Sequence, residues 1–196
     1  KEKKMIDTSK KFLVAGAGKS GIGSVNLLLK TGADVSLYDG NEELDKEALF
    51  EKLYEKKEIS LVLGNITKED IEKYDLLVLS PGISVNAPIA QMFYDQEKPV
   101  WSEIELAYQA SKGKIAAITG TNGKTTTTAL TGEIMKGYYE SSFVVGNIGI
   151  PYTSVALDTQ ENSVITAEIS SFQLETIVDF KPDVCAVLNI TPDHLD

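Results

Sequence analysis

Short apolar runs recur along the chain. Most are followed by a turn and then by a segment with helical spacing. Residues 12–15, 34–38, 59–63, 76–79, 98–101, 114–119, 143–145, 164–167 and 184–189 read as strands. Runs of this length, without strict alternation, suit sheets covered on both faces. Between them, Val25, Leu28 and Leu29 predict an amphipathic helix, and Ile104, Leu106 and Ala107 another over 103–110. Residues 42–57 read as a charged surface helix, 68–73 as a short one, 87–95 and 124–135 as further helices. Alternating strand and helix predict an α/β fold with parallel sheets. The pattern restarts near Trp101 and Ser102. The expected organisation is an N-terminal Rossmann-like parallel-sheet domain, residues 1–101, followed by a P-loop ATPase-like α/β domain, residues 102–196. Residues 1–11 read as a charged, mobile lead-in.

Two turns carry chemistry. After the strand at 114–119 come Gly120-Thr121-Asn122-Gly123, then Lys124-Thr125-Thr126 opening a helix. Strand, glycine loop, lysine-hydroxyl and helix is the layout of a phosphate-binding loop, in which backbone N–H groups and the helix start face an anion. Lys124 supplies a point charge for outer phosphates and Thr125 a hydroxyl for a divalent ion. Position 118 is Ile where the strict motif has Gly, and a plain Gly/Asn turn is the alternative. The other turn is Gly16-Ala17-Gly18-Lys19-Ser20-Gly21, between the first strand and its helix, with Asp39 closing the second strand. That is a dinucleotide-binding arrangement, in which Asp39 would take ribose hydroxyls. Close helix–strand packing is the competing reason for those glycines. On residue pattern alone the first site would take NAD.

Other strand ends add candidates. Ser80-Pro81-Gly82 follows the strand at 76–79 and reads as either a ligand wall or a Pro-Gly turn. Glu168 ends the strand at 164–167, where a magnesium-binding acid belongs beside a phosphate loop. His194, the sole histidine, also follows a strand end and is a candidate for the same site.

Composition narrows the partners. A net charge of −10 over 196 residues repels nucleic acid and anionic membrane, and obliges any nucleotide site to supply local compensation. Cys185 is the single cysteine, so no internal disulfide can form; it reads as a small core residue. No run reaches membrane-spanning length and the first dozen residues lack a signal-peptide core, so the cytoplasm is expected.

Taken in order, Gly120–Thr126 (GTNGKTT), residues 146–149 (GNIG), 168–175 (EISSFQLE) and 189–194 (NITPDH) resemble the Mur ligases, ATP-dependent amide-forming enzymes of peptidoglycan synthesis. The 170–175 run and the Ser-Pro-Gly-Ile turn are most similar to members that add D-glutamate to UDP-N-acetylmuramoyl-L-alanine. The resemblance implies ATP and Mg²⁺, an acyl-phosphate intermediate, and a monomer. It implies that Gly120, Thr121, Asn122, Gly123, Lys124, Thr125 and Thr126 bind ATP, that Thr125, Glu168 and His194 hold metal, and that Lys124, Glu168 and His194 carry catalysis. It further implies that Lys19, Ser20, Asp39, Gly40, Ser80, Pro81, Gly82, Asn147, Ser170 and Gln173 contact the UDP-sugar, so the first glycine loop would bind that and not NAD. A third domain with D-glutamate contacts, and a carbamylated lysine downstream of the histidine, would lie beyond Asp196. A folylpolyglutamate synthase-like ligase and a non-catalytic nucleotide sensor are the alternatives.

Overall fold

The computed structural model describes residues 6–147 and 149–192. The first sheet is built from β1 (Lys11–Ala15), β2 (Asp34–Asp39), β3 (Ser60–Leu63), β4 (Leu76–Leu79) and β5 (Val100–Ser102), in the order β3-β2-β1-β4-β5. The second is built from β6 (Lys114–Thr119), β7 (Ser142–Gly146), β8 (Val164–Glu168) and β9 (Val184–Val187), in the order β7-β8-β6-β9. Every pairing between these strands is parallel. The α/β class expected from the alternation is what the chain forms.

Helices α1 (Lys19–Thr31), α2 (Lys46–Phe50) and α3 (Pro88–Asp95) serve the first sheet. Successive β1 residues face opposite ways. Phe12 and Val14 join one apolar cluster, while Leu13 and Ala15 join a second with Ile89, Ala90 and Phe93 of α3. The first cluster does not stop at the sheet. It continues through α4 (Glu103–Ala110) and Tyr152 of α6 (Tyr152–Val155) to Ile115, Ala117, Ile165 and Ala167 of the second sheet. Helices α1, α4 and α6 therefore pack together between the two sheets. The Tyr152 hydroxyl, fully buried, lies 2.6 Å from Ser111 Oγ. A Cβ on Gly23 would sit 2.6 Å from Thr153 Oγ1, so α1 can approach α6 only without a side chain there. The remaining helices are α5 (Lys124–Tyr138) and α7 (Ser171–Leu174).

Three expectations are corrected. Residues 42–57 do not form one helix. Asp45 caps the short α2, and Asn26 of α1 then takes the backbone: its Oδ1 accepts from Tyr54 N and its Nδ2 donates to Lys52 O. Groups bonded sideways to α1 cannot continue a helical ladder. Residues 68–73 are turns: Glu72 N and Tyr74 N each donate three residues back, to Glu69 O and Ile71 O, and Lys98 Nζ takes the carbonyls of Ile71 and Glu72, each at 2.9 Å. Cys185 is exposed and not a core residue, since β9 lies at the edge of its sheet with Val184 and Val187 also exposed. The short helices α6 and α7 were not legible as apolar periods.

Two buried acids open α4. Glu105 accepts from the backbone N–H of Val178, Asp179 and Phe180 through Oε2, and from Gln109 Nε2 through Oε1. It ties the 178–180 turn to α4. Glu103 accepts from Gln173 Nε2 at 2.6 Å through Oε1, but its Oε2 has no hydrogen-bond partner among the described residues. Burial pushes its carboxyl up to about 7, and the Gln173 bond opposes this only in part.

Glu105→Ala removes the fully buried acceptor of three backbone N–H groups, that of Phe180 itself buried, and we expect a loss of roughly 3 kcal/mol in urea unfolding. For Glu103, a folded-state pKa above the unfolded one means stability is greatest below the unfolded value of 4.5 and falls as pH rises through about 7. The difference in unfolding free energy between Glu103→Gln and the parent should therefore grow in the variant's favour by about 2–3 kcal/mol from pH 5 to pH 8. Urea midpoints at the two pH values check this.

Candidate functional site

In each sheet the order in which strands are added reverses beside one strand, and the crevice outside that strand's carboxyl end is where an open α/β sheet receives a ligand. In the first sheet this strand is β1, flanked by β2 and β4. Gly16 leaves β1 with φ of +96°, and a Cβ on Gly21 would collide with the Gly16 carbonyl oxygen. The loop thus needs glycine at both positions for its tight return into α1. Asp39 closes it from the side: Oδ2 accepts from Ala17 N at 2.8 Å and Oδ1 from Asn41 N at 2.9 Å. Its carboxylate orients the loop and retains lone pairs for a ligand. Across the crevice, Ser80 Oγ donates to the Gly16 carbonyl at 3.4 Å. A cleft of about 600 Å³ results. Lys19, Ser20, Asp39, Gly40, Ser80, Pro81, Gly82, Asn147 and Gln173, all expected at one ligand from the resemblance, line it together.

The second reversal is beside β6, flanked by β8 and β9. Gly120 (φ +136°) and Gly123 (φ +83°) bend the chain into α5. The loop is stapled to the segment after β9. Thr121 N donates to Asn189 O, Asn122 N to Asn189 Oδ1, and Asn189 Nδ2 to Asn122 O. Thr191 N donates to Thr121 Oγ1, which in turn donates to Thr191 O. The N–H groups of 121 and 122 are consumed, so an anion would be met by those opening α5, which lack intrahelical partners. Lys124 Nζ folds back onto Gly120 O at 2.6 Å and Thr121 O at 3.0 Å. Gly120, Thr121, Lys124, Asn147 and Ser170 line a second cleft of about 880 Å³. Thr125 and Thr126 are exposed on the first turn of α5 and are not part of that wall. Asn122 and Gly123 are likewise off it.

Glu168 ends β8, in register with Ile118 on one side and Gly146 on the other. It is 1% exposed. Asn147 Nδ2 donates to Oε1 at 3.0 Å, and Oε2 has no partner among the described residues. No group of three or more His, Cys, Asp or Glu side chains gathers among the described residues. A cation here would be held by this one carboxylate with hydroxyl, water or ligand oxygens. His194 lies outside the described residues.

Pro81, Gly82 and Asn147 line both clefts, which therefore adjoin across the two halves. Ser170 and Gln173 form a capping box on α7: Gln173 N donates to Ser170 Oγ, and Ser170 N to Gln173 Oε1. Two residues escaped the sequence reading. Asn189 stood inside a noted motif, but its role depends on a contact with Asn122 across the chain. Glu103 looked like an ordinary acid in the first turn of a helix, and nothing local marks it as buried behind Gln173.

Residues 10–102 match the family model "Mur ligase MurD-like, N-terminal domain", and residues 118–196 match "Mur ligase middle domain". The chain is 55% identical over 95% of its length to the UDP-N-acetylmuramoylalanine–D-glutamate ligase of Lachnoclostridium phytofermentans, covering 41% of that protein. It is 56% identical over 96% of its length to the ligase of the same name from Lachnospira eligens, covering 42% of it. It thus spans about two-fifths of the length of these curated relatives. Among solved structures, UDP-N-acetylmuramate:L-alanyl-gamma-D-glutamyl-meso-diaminopimelate ligase from Neisseria meningitides shares the fold, with a TM-score of 0.56 at 16% identity over 95% of this chain and 62% of that one. Two family models in sequence order, one over each sheet and flanking α4, together with relatives of more than half identity, place this chain in the Mur ligase family.

Proposed function

We propose that this chain is the sugar-nucleotide-binding and ATP-binding portion of a ligase that joins D-glutamate to UDP-N-acetylmuramoyl-L-alanine. Residues 1–101 form the UDP-sugar domain and residues 102–196 the ATP domain in this reading. The substrates come from the names of the relatives. The observation that carries the reading is the wall of Pro81, Gly82 and Asn147 common to both clefts. A sugar nucleotide in the first cleft can extend its carboxylate toward a phosphate held in the second.

The chemistry follows from that meeting of two anions. A carboxylate oxygen attacks the terminal phosphorus, and the bond to ADP breaks. The amine of D-glutamate then attacks the acyl carbon, phosphate departs with the bonding pair, and the amine proton passes to solvent. Lys124 exchanges the Gly120 and Thr121 carbonyls for phosphate oxygens, and the opening N–H groups of α5 add fixed positive dipoles. Asn147 holds Glu168 in place through its amide. The buried, unpartnered Glu168 Oε2 fits a role as a cation ligand, since a carboxylate oxygen at that depth needs a positive partner. Glu168, Thr125 and His194 would hold Mg²⁺, which when bound supplies charge neutralisation for the transferred phosphoryl group. The reaction is placed in the cytoplasm, where ATP is kept, and a monomer suffices because one chain builds both clefts. Its product feeds cell-wall synthesis, and with it cell shape and division.

Calorimetric titration of the full-length protein tests the assignment. UDP-N-acetylmuramoyl-L-alanine should bind and NAD should not; micromolar NAD binding without sugar-nucleotide binding overturns it. Lys124→Ala should lower the rate of phosphate release on the order of 10³-fold or more. Turnover close to the parent's would move Lys124 away from the transferred phosphate. Glu168→Ala should raise the Mg²⁺ concentration needed for half-maximal activity and lower the rate with it. A Mg²⁺ titration identical to the parent's would remove Glu168 from the cation's ligands.

A further inference from the structure

The amide of Gln173 is held at both ends. The Ser170 N–H can only donate, so Gln173 Oε1 must face it, at 2.7 Å. That turns Nε2 toward Glu103 Oε1, at 2.6 Å. One Nε2 proton remains, on a residue that lines the 600 Å³ cleft. Asn147, on the wall common to both clefts, is held at one end only, with Nδ2 donating to Glu168 Oε1. Glu103 itself lines neither cleft. It lies behind Gln173, beside a cavity of about 10 Å³ that it shares with Ser102 and Thr176.

A carboxyl in that place is costly. It is 3% exposed and one oxygen has no partner among the described residues. An apolar side chain of similar volume would pack there at lower cost. It would also leave Gln173 Nε2 without an acceptor, so that the amide, held by the Ser170 N–H alone, loses the second bond that fixes its plane.

We propose that Glu103 is a positioning residue for the sugar-nucleotide site, fixing the Gln173 amide so that it presents an N–H donor to an acceptor oxygen of the bound ligand. The inference rests on the sugar-nucleotide reading of that cleft. Its ligand chemistry is a carboxylate, phosphate or amide carbonyl oxygen. Glu103 acts only through Gln173, and any residue at 103 that keeps an acceptor at the Oε1 position keeps the effect.

The test is a double-mutant cycle in the full-length protein, read by calorimetric titration with UDP-N-acetylmuramoyl-L-alanine and, separately, with ATP. Glu103→Met keeps volume and removes the acceptor, and should raise the sugar-nucleotide Kd about tenfold while ATP stays within about twofold. Glu103→Gln retains the acceptor and should stay within about threefold of the parent. In a Gln173→Ala background, Glu103→Met should add no more than about twofold. If Glu103→Met does not unfold cooperatively, Glu103→Asp, which withdraws the carboxyl by one methylene, takes its place with the same expectations. The inference is overturned by parent-like binding in the acceptor-lacking variant, by an equal loss without Gln173, or by equal losses for ATP and sugar nucleotide. A parent protein that binds no sugar nucleotide overturns the functional reading itself and this inference with it.

Discussion

Parallel pairing is the constraint on which the rest depends. A parallel strand must be reached by a crossover, so every strand delivers its carboxyl end, and the loop that follows, to the same edge. Here that edge collects Gly16–Gly21 after β1, Ser80–Gly82 after β4, Gly120–Gly123 after β6, Asn147 after β7 and Ser170 after β8. Gly16 and Gln173, 157 positions apart in sequence, line one cleft because of it. The apolar layer of α1, α4 and α6 then holds the two edges side by side. Without that layer each sheet would still form a crevice, but the walls would not be common to both.

Three carboxylates are buried at or near this junction, and the fold treats each differently. Glu105 is saturated by four N–H donors and serves as a clamp. Glu168 and Glu103 each hold one amide and leave one oxygen unmatched. A fully bonded acid stabilises the turn it binds; a half-bonded one costs stability. Glu103 and Glu168 stand directly behind the two amides, Gln173 and Asn147, that face the clefts. That placement separates them from Glu105 more clearly than their burial does.

Much of this could be read from the chain. Aliphatic runs such as Leu76–Leu79 are buried throughout, as their composition required. The glycine loops sit after the strands expected of them. The residues expected at the UDP-sugar from family resemblance converge on one cleft, apart from Ser170, which lines the neighbouring one. What could not be read depends on partners distant in sequence. At 68–73 the chain closes tight turns whose last carbonyls Lys98 takes from the neighbouring strand's lead-in, and Asn26 claims the backbone at 52–54. Cys185 reads as core from its neighbours and is exposed because its strand lies at an edge. The Gly120–Gly123 loop is held by Asn189, 67 residues from Asn122. Periodicity reports which face of an element is apolar, not which polar group from elsewhere will claim its backbone.

Pro81, Gly82 and Asn147 belong to two walls at once. A molecule that shifts any of the three from one side changes the surface offered on the other. Linkage then makes the influence mutual: whatever factor the first occupant applies to the second's dissociation constant, the second applies to the first. Wherever that factor differs from one, the two chambers fill as a joint equilibrium, and a constant for either tenant needs the concentration of the other stated beside it.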